Sequence, residues 1–435
     1  MKPSLTIIGG GLAGCEAAWQ AARRGLTVRL YEMRPHTMTP AHSGGGLAEL
    51  VCSNSLRGAA LTNAVGLLKE EMRRMDSLIM AAADATAVAA GGALAVDRRR
   101  FSAYIEAAVG SREGIELLRE EVIDIPPGLI IVAAGPLASP GLSETIAALT
   151  GSAHLFFHDA IAPVVAGESI NYSRVFYASR YDKGQGRDYV NCPFTKEQYL
   201  NFWQALKQAE LTPLRDFEKE RLFSGCLPIE AMALLGQDTM RFGPLKPVGL
   251  QLPDGKEPYA VVQLRREDAA GSMYNLVGLQ TRLKRAEQQR VFRLIPGLEN
   301  AEFLRFGAMH RNTYIDSPRL LQADLRLKKQ PRIFFAGQIT GVEGYVESAA
   351  TGLIAGLNAA RVLSGQKTLI FPPLTALGGL AHYISTDNER AFAPMNINFG
   401  LLPPLEQHLR NKQQKNLALA QRALAALEKT LCDHI

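Results

Sequence analysis

Short apolar runs alternate with glycine-rich turns and amphipathic segments at both ends of the chain. Apolar residues at 5–8 and 27–31 predict two strands, and the segment 13–24 between them predicts a helix. Similar runs at 129–133 and 332–336 predict further buried strands, and 64–83 and 347–363 predict helices. This alternation of strand, glycine turn and helix is typical of an α/β fold with a parallel sheet.

The pattern changes between about residues 154 and 300, where strands mix with isolated helices. We therefore predict a Rossmann-like, two-dinucleotide-binding domain that is interrupted by an inserted α+β domain. The first domain comprises 1–152 and 305–435, and the insertion comprises 153–304. The proline pair at 403–404 is predicted to open a long C-terminal helix.

Composition narrows the function classes. Of the 435 residues, 47% are hydrophobic and 21% charged, which excludes wholesale disorder. The five cysteines form no CxxC pair, so a disulfide framework is not expected and a reducing, cytoplasmic location is. The longest weakly polar run, 79–96, contains Asp84 and is too weakly apolar for a membrane span. The pair His154 and His158 lacks a third ligand, so no metal site is expected.

A dinucleotide motif follows the first strand. Gly9 permits a tight turn, Gly11 admits a pyrophosphate close to the backbone, and Gly14 lets the helix pack on the strand. An acid, Glu32, ends the second strand and is placed to bind ribose hydroxyls. The predicted cofactor-binding residues here are Gly9, Gly10, Gly11, Leu12, Ala13, Gly14 and Glu32.

Later turns favour FAD over NAD. A glycine follows the buried run at 129–133, and a second glycine-rich turn follows the run at 332–336, with a helix expected from about Tyr345. Two-dinucleotide flavoproteins make additional FAD contacts at such positions. The residues predicted to contact FAD there are Gly135, Gly337, Gln338, Gly341 and Val342.

Two cysteines are candidates for chemistry. Pro228 suits the first position of a helix, which would place Cys226 beside a helix amino end that lowers a thiol pKa. Cys52 lies in a polar turn between a glycine-rich loop and a helix. The alternative for each is a packed, unreactive thiol.

The clearest charge cluster lies at 282–293. It contains Arg282, Lys284, Arg285, Arg290 and Arg293 against a lone Glu287. On one helix, 282, 285 and 293 would share a face that could bind phosphates. The alternative is a solvated helix face.

Five motifs together resemble one family. They lie at 9–16, 51–57, 225–230, 337–348 and 394–404. The chain resembles the folate- and FAD-dependent tRNA (uracil-5-)-methyltransferases, within the superfamily of wobble-uridine-modifying flavoproteins. The resemblance runs over essentially the whole length.

The resemblance implies methylation of the T-loop uridine, position 54 of tRNA, to 5-methyluridine. The carbon comes from 5,10-methylenetetrahydrofolate, reduced FAD supplies electrons, and NADH or NADPH reloads the flavin. Cys226 is implied as the nucleophile at C6 and Cys52 as the proton acceptor, and the two roles could be exchanged. His310 and Tyr345 are candidate folate or tRNA contacts, and Arg282 and Arg285 candidate contacts to the T-arm.

Three alternatives stay open at this point. The first is the related enzyme that modifies the wobble uridine, although only 35 residues follow Gly400 here and that enzyme carries a longer helical end. The second is an NAD(P)H:flavin oxidoreductase without an RNA substrate. The third is a non-catalytic RNA-binding flavoprotein. The oligomeric state and the nicotinamide preference are not determined by the residues.

Overall fold

The computed structural model describes residues 4–151, 155–213, 227–387, 392–407 and 409–434. For 156–159, 310 and 311 it describes the backbone only. The described strands are β1 (Ser4–Ile8), β2 (Thr27–Tyr31), β3 (Ser55–Gly58), β4 (Ala87–Val88), β5 (Ala93–Val96), β6 (Ile115–Leu118), β7 (Leu129–Val132), β8 (Leu155–Ile161), β9 (Val164–Ala166), β10 (Phe176–Ala178), β11 (Tyr189–Phe194), β12 (Ala260–Arg266), β13 (Met273–Leu276), β14 (Phe303–Arg305), β15 (Ala308–Tyr314), β16 (Arg326–Leu327) and β17 (Gln330–Phe335).

The described α-helices are α1 (Leu12–Ala22), α2 (Ala64–Arg73), α3 (Leu78–Ala85), α4 (Arg98–Ser111), α5 (Pro140–Thr150), α6 (Lys196–Gln208), α7 (Ile229–Leu235), α8 (Thr239–Phe242), α9 (Arg285–Phe292), α10 (Ser317–Leu320), α11 (Tyr345–Leu363), α12 (Ala376–Tyr383) and α13 (Lys412–His434). Short 3-10 turns cover Gly167–Ser169, Tyr172–Arg174, Arg180–Asp182, Gln338–Thr340 and Phe399–Leu401.

A six-stranded sheet brings the two ends of the chain together. Its strand order is β16-β17-β7-β1-β2-β6, and every pair is parallel except β16 with β17. At its centre Ile131 pairs with Ile7 on one side and with Phe334, more than 200 residues later, on the other. The central strand β7 is buried along its whole length, as a parallel strand covered by helices on both faces must be.

Two helices lie against each other on this sheet at backbone distance. A Cβ at Gly352 would come within 2.2 Å of the Ala13 carbonyl oxygen, and a Cβ at Gly356 within 2.4 Å of the Ala17 carbonyl oxygen. Both contacts advance by four residues, so α1 and α11 run in the same direction. Their amino ends therefore lie at the same edge of the sheet, where β1 and β17 end.

A second six-stranded sheet, β10-β11-β12-β13-β9-β14, is antiparallel throughout. One face, which includes Val262, Leu264 and Tyr274, belongs to an apolar core shared with α6 and α9. The opposite face carries buried polar side chains, which are Asn191, Gln263, Arg265 and Asn275.

The two sheets take their strands from different parts of the chain. The first uses strands before residue 133 and after residue 325, and the second uses strands between 164 and 305. The antiparallel pair β8 and β15 marks the two boundaries in sequence: β8 precedes the strands of the second sheet, and β15 follows them. We propose the division into 1–152 with 305–435 and 153–304 on this support.

Three helix predictions were wrong in extent. The helix predicted at 64–83 is two helices, because Asp76 has φ 54° and Ser77 caps α3 by accepting from the Met80 N–H. The final helix begins at Lys412 and not at the proline pair, since the Asn411 side chain accepts from the Gln413 and Gln414 N–H groups at 2.9 and 3.1 Å.

The basic helix is also shorter than predicted. α9 begins at Arg285, so Arg282 precedes it. The segment before it is held extended, because the Thr212 N–H donates to the Arg282 carbonyl at 2.9 Å and Leu283 forms a β-bridge with Leu211. Arg293 caps the other end.

The contact between α1 and α11 predicts an unusual effect of a small substitution. Gly352→Ala should lower the free energy of unfolding by about 1–3 kcal/mol, because the added methyl group forces the helices apart. Gly110→Ala in α4, where an added Cβ meets nothing within 4 Å, should not be destabilising. Urea titration of both variants is the test, and equal stability of the two would contradict the packing argument.

Candidate active site

A cavity of about 470 Å³ lies between the edge of the first sheet where its parallel strands end and the polar face of the second sheet. Its lining includes most of the cofactor residues predicted from the sequence, which are Gly9, Gly11, Leu12, Ala13, Glu32, Gly135, Gly337 and Gln338. Cys52 and Tyr345 line the same cavity. Ligands of open α/β sheets bind at this edge.

In the first glycine turn, only Gly11 among the three motif glycines has open space beside its backbone. A Cβ at Gly14 would lie 1.8 Å from the Gly9 carbonyl oxygen, and a Cβ at Gly9 would lie 2.4 Å from the Ala133 carbonyl oxygen, so both glycines serve packing. A Cβ at Gly11 would meet nothing within 4 Å. The backbone at Gly11 is therefore open on the cavity side, as a turn approached by a phosphate must be.

Glu32 is held by the protein on several sides. It accepts from the Gly10 N–H at 3.0 Å and from Arg34, whose guanidinium is 2.8 Å away and also bonds Glu49 at 3.1 Å. Burial raises the pKa of Glu32, but Arg34 and the N–H donors outweigh burial and hold that pKa below its ordinary value. Glu32 is thus a fixed carboxylate at the cavity wall.

The second glycine turn is tied to α11. The Gly337 N–H donates to the Thr351 hydroxyl at 2.7 Å, and the Gln338 side chain donates to Glu343 at 2.7 Å. Gly341 and Val342 do not line the cavity. A Cβ at Gly341 would lie 2.4 Å from the Phe392 ring, and Val342 is fully buried.

The loop carrying Cys52 is fastened to the start of α11. The backbone N–H groups of Cys52 and Ser53 donate to the Tyr345 hydroxyl at 2.7 and 3.2 Å. Burial, followed by the charge of Cys52, raises the pKa of Tyr345. The half-buried thiol is therefore held near the amino end of α11 by a neutral phenol.

Three guanidinium groups converge on the same loop. Those of Arg305 and Arg98 donate to the Cys52 carbonyl at 3.0 and 3.5 Å. Arg265 donates to the Ser53 hydroxyl at 2.6 Å and interacts electrostatically with Cys52. Glu267 neutralises Arg98 at 2.6 Å. Arg265 and Arg305 therefore place positive charge beside Cys52.

Comparison with known proteins identifies the family of the chain. Residues 4–367 match the family described as "Glucose inhibited division protein A". Curated relatives carry the name methylenetetrahydrofolate--tRNA-(uracil-5-)-methyltransferase TrmFO. The relative from Pelotomaculum thermopropionicum is 58% identical over 428 residues, 98% of each chain. The relative from Heliobacterium modesticaldum is 58% identical over 434 residues, 99% of each chain. The chain belongs to the TrmFO family.

Membership confirms the predicted resemblance and the prediction that the chain is an enzyme, a methyltransferase. A solved structure of Aquifex aeolicus GidA superposes with a TM-score of 0.70 at 19% identity, covering 99% of this chain and 76% of that chain. That likeness confirms the predicted fold class, a Rossmann-like α/β fold.

Two predicted site residues of this TrmFO-family chain cannot be placed as side chains. Cys226 lies outside the described residues. His310 lies in β15, where its backbone pairs with Asp159, two positions before Asn312, which lines the cavity. Among the other cysteines, Cys15 and Cys192 are fully buried, and burial raises the pKa of both thiols, whereas Cys432 is exposed.

The basic side chains of the 282–293 cluster differ in the contacts that they make. Lys284 bonds Glu210 at 2.6 Å, and Arg290 bonds Glu287 at 2.5 Å. Arg293 donates to the Ala301 carbonyl at 3.1 Å. Arg285 is exposed, with its guanidinium 5.7 Å from the centroid of the Phe306 ring. Arg285 is thus the member of the cluster most accessible to a phosphate, while Arg282 is half-buried before α9.

Several residues of the site were missed from the sequence. Arg34, Arg98, Arg305, Arg265 and Asn275 all lie at or beside the cavity wall. The polar positions 263 and 265 alternate with apolar ones in β12, which was a usable signal for a polar face. No local pattern marks Arg305, because the Val51 and Cys52 carbonyls to which it donates lie more than 250 residues away in sequence.

Two absences hold for the residues that the structure describes. None of them form a group of three or more His, Cys, Asp or Glu side chains able to hold a metal ion. No helix among them is both long and apolar enough to cross a membrane.

The open side of Gly11 gives a direct prediction. Gly11→Val should purify with little or no FAD, because the side chain enters the space expected for the pyrophosphate. The flavin absorbance per protein is the measurement. Gly110→Val, on the exposed surface of α4, is the matched control and should keep its FAD. Full flavin occupancy in Gly11→Val would show that the cofactor lies elsewhere.

Proposed function

We propose that the chain methylates C5 of the T-loop uridine of tRNA, position 54, with carbon from 5,10-methylenetetrahydrofolate and electrons from reduced FAD. The relatives' name supplies the reaction class, the folate and the tRNA. The observation that carries the proposal is one cavity lined both by a nucleotide-binding glycine turn and by Cys52.

The residues present fit FAD. Gly11 is bare, the amino ends of α1 and α11 meet at the cavity, and Glu32 offers a fixed carboxylate beside the turn. Free N–H groups at a helix amino end favour phosphate and other anionic groups. When bound and reduced by NADH or NADPH, the flavin supplies the electrons that turn a transferred one-carbon unit into a methyl group.

The cysteines supply the polar chemistry on uracil. C5 of uracil is a weak nucleophile until a thiolate adds to C6, and a base must later remove the C5 proton. We assign Cys226 to the addition and Cys52 to the proton. The guanidinium groups of Arg265 and Arg305 near Cys52 support an ionised thiol, which can accept a proton.

Folate and tRNA approach the cavity from the second sheet. We assign His310 and Tyr345 to folate because β15 and the start of α11 both border the cavity. We assign Arg285 and Arg282 to the T-arm. The Arg285 guanidinium lies over the Phe306 ring, and Arg305, the residue before Phe306, donates to the Cys52 carbonyl. Arg285 is therefore connected through these two residues to the Cys52 loop. We also propose a cytoplasmic location, because the proposed substrate is tRNA.

The proposed reaction is tested with carbon-labelled methylenetetrahydrofolate and unmodified tRNA. The FAD-loaded chain with NADH or NADPH should place label in 5-methyluridine, and labelled S-adenosylmethionine should not. Cys52→Ala and Cys226→Ala should keep FAD and lose RNA methylation by at least about 100-fold, since each removes a group needed for one bond change.

Cys432→Ala is the matched control, because Cys432 is exposed on α13 and should be dispensable. Transfer of label from S-adenosylmethionine without folate would reject the proposed carbon source. Methylation undiminished in both cysteine variants would reject the proposed thiol roles.

The tRNA surface is tested by charge reversal. Arg285→Glu should weaken tRNA binding and reduce the slope of log affinity against log salt by about 1, because one phosphate contact is lost. Reduction of the flavin by NADH or NADPH needs no RNA and should be unchanged. Filter binding over a salt series is the measurement.

Arg290→Glu, an identical charge change on the same helix at a residue that already bonds Glu287, is the control. It should weaken tRNA binding less than Arg285→Glu. Equal affinities for the two variants would show that Arg285 is a solvated surface residue.

A further inference from the structure

Most of the buried polar side chains on the polar face of the second sheet have hydrogen-bond partners. Asn191 donates to the Phe176 and Ala178 carbonyls at 3.3 and 3.0 Å and accepts from Gln263 at 2.9 Å. Gln263 in turn accepts from Arg180 at 3.0 Å. These side chains satisfy one another and the backbone, as buried polar groups normally do.

Asn275, on the same face, is the exception. Its side chain is 4% exposed and lines the cavity, yet its Nδ2 is buried without a hydrogen-bond partner among the described residues. Its neighbours Tyr274 and Leu276 face the apolar core on the other side of the sheet. An unpaired buried donor is costly, so its retention in the wall of a cavity points to a ligand that completes it.

The position of Asn275 places that ligand beside the Cys52 loop. Asn275 lies directly opposite Arg265 in the pairing of β12 with β13. Directly opposed residues in antiparallel strands have Cβ atoms about 4.5–5.5 Å apart. Arg265 donates to Asn54 at 2.8 Å and to the hydroxyl of Ser53, the residue after Cys52, at 2.6 Å. Asn275, Arg265 and Cys52 therefore form one corner of the cavity.

The chemistry of a carboxamide selects the ligand group. It presents one donor and one acceptor side by side, and its complement is a ring with an adjacent carbonyl and N–H, a lactam edge. Uracil has such an edge, as do the pterin ring of a folate and the pyrimidine ring of a flavin. Proteins that act on an extruded base read it through hydrogen bonds to this edge.

We propose that Asn275 is the specificity residue that binds the lactam edge of a heterocycle beside Cys52. Arg265, which lies opposite Asn275, ties this corner to Ser53 and Asn54. This inference rests on the proposed function for its choice of heterocycles. The experiment below distinguishes uracil, the pterin of folate and the flavin.

The test uses the FAD-loaded chain and two substitutions. Asn275→Asp keeps the shape and loses the donor, and Asn275→Leu removes both polar atoms. Three quantities are measured: the KM for a T-arm minihelix in folate-dependent methylation, the Kd of tetrahydrofolate from its effect on the flavin spectrum, and the Kd of FAD. One of them should rise at least about tenfold in both variants, since each loses a hydrogen bond to a buried ligand group.

Which quantity rises identifies the ring: the minihelix for uracil, tetrahydrofolate for pterin and FAD for the flavin. The melting temperature of Asn275→Leu freed of FAD should be unchanged or higher than that of the FAD-free wild type, because the substitution removes an unpaired donor. Asn171→Asp is the matched control, since Asn171 caps an exposed 3-10 turn through an oxygen that aspartate also has. It should leave all three quantities unchanged.

Two results would overturn the inference. One is no change beyond about twofold in any of the three quantities, and the other is a lower melting temperature in Asn275→Leu when both it and the wild type are free of FAD, which would assign the amide a structural role. The wild-type chain tests the proposed function in the same assay. If it fails to methylate the minihelix, the tetrahydrofolate and FAD titrations still decide whether Asn275 binds a lactam edge.

Discussion

The close parallel packing of α1 on α11 is the constraint on which the site depends. Gly352 and Gly356 let the α11 backbone approach Ala13 and Ala17, which no larger side chain would permit. Because the two helices run in the same direction, their amino ends meet at the edge where β1 and β17 end. Segments more than 300 residues apart in sequence therefore contribute to one cavity.

The site also depends on electrostatic contacts between the second sheet and the Cys52 loop. The Cys52 loop belongs to the first part of the chain, but Arg265 and Arg305 from the second sheet bind it. Burial lowers the pKa of both guanidinium groups, and the hydrogen bonds that each makes to the loop fix its side chain. The attachment of the second sheet thus determines the environment of the thiol as well as the shape of the cavity.

The local pattern of the sequence predicted the first βαβ unit well, because its apolar periodicity and glycines act over a few residues. The predicted strand at 5–8 is β1, Ser4–Ile8, and the turn at Gly11 opens to the cavity as expected. Sequence reasoning failed where distant groups decide. Arg282 lies outside α9 because Thr212 binds its carbonyl, and that partner is 70 residues away. Asn275 was missed because its significance lies in the lack of a partner, which only packing reveals.

The central claim is that one cavity holds a dinucleotide at the first glycine turn with its ring system beside the Cys52 loop. A crystal structure of the FAD-loaded chain tests it most directly. The account predicts the pyrophosphate within hydrogen-bonding distance of the backbone N–H groups around Gly11, with the isoalloxazine in contact with the corner formed by Cys52, Arg265 and Asn275. A pyrophosphate bound away from this turn, or an isoalloxazine separated from Cys52 by intervening protein, would contradict it.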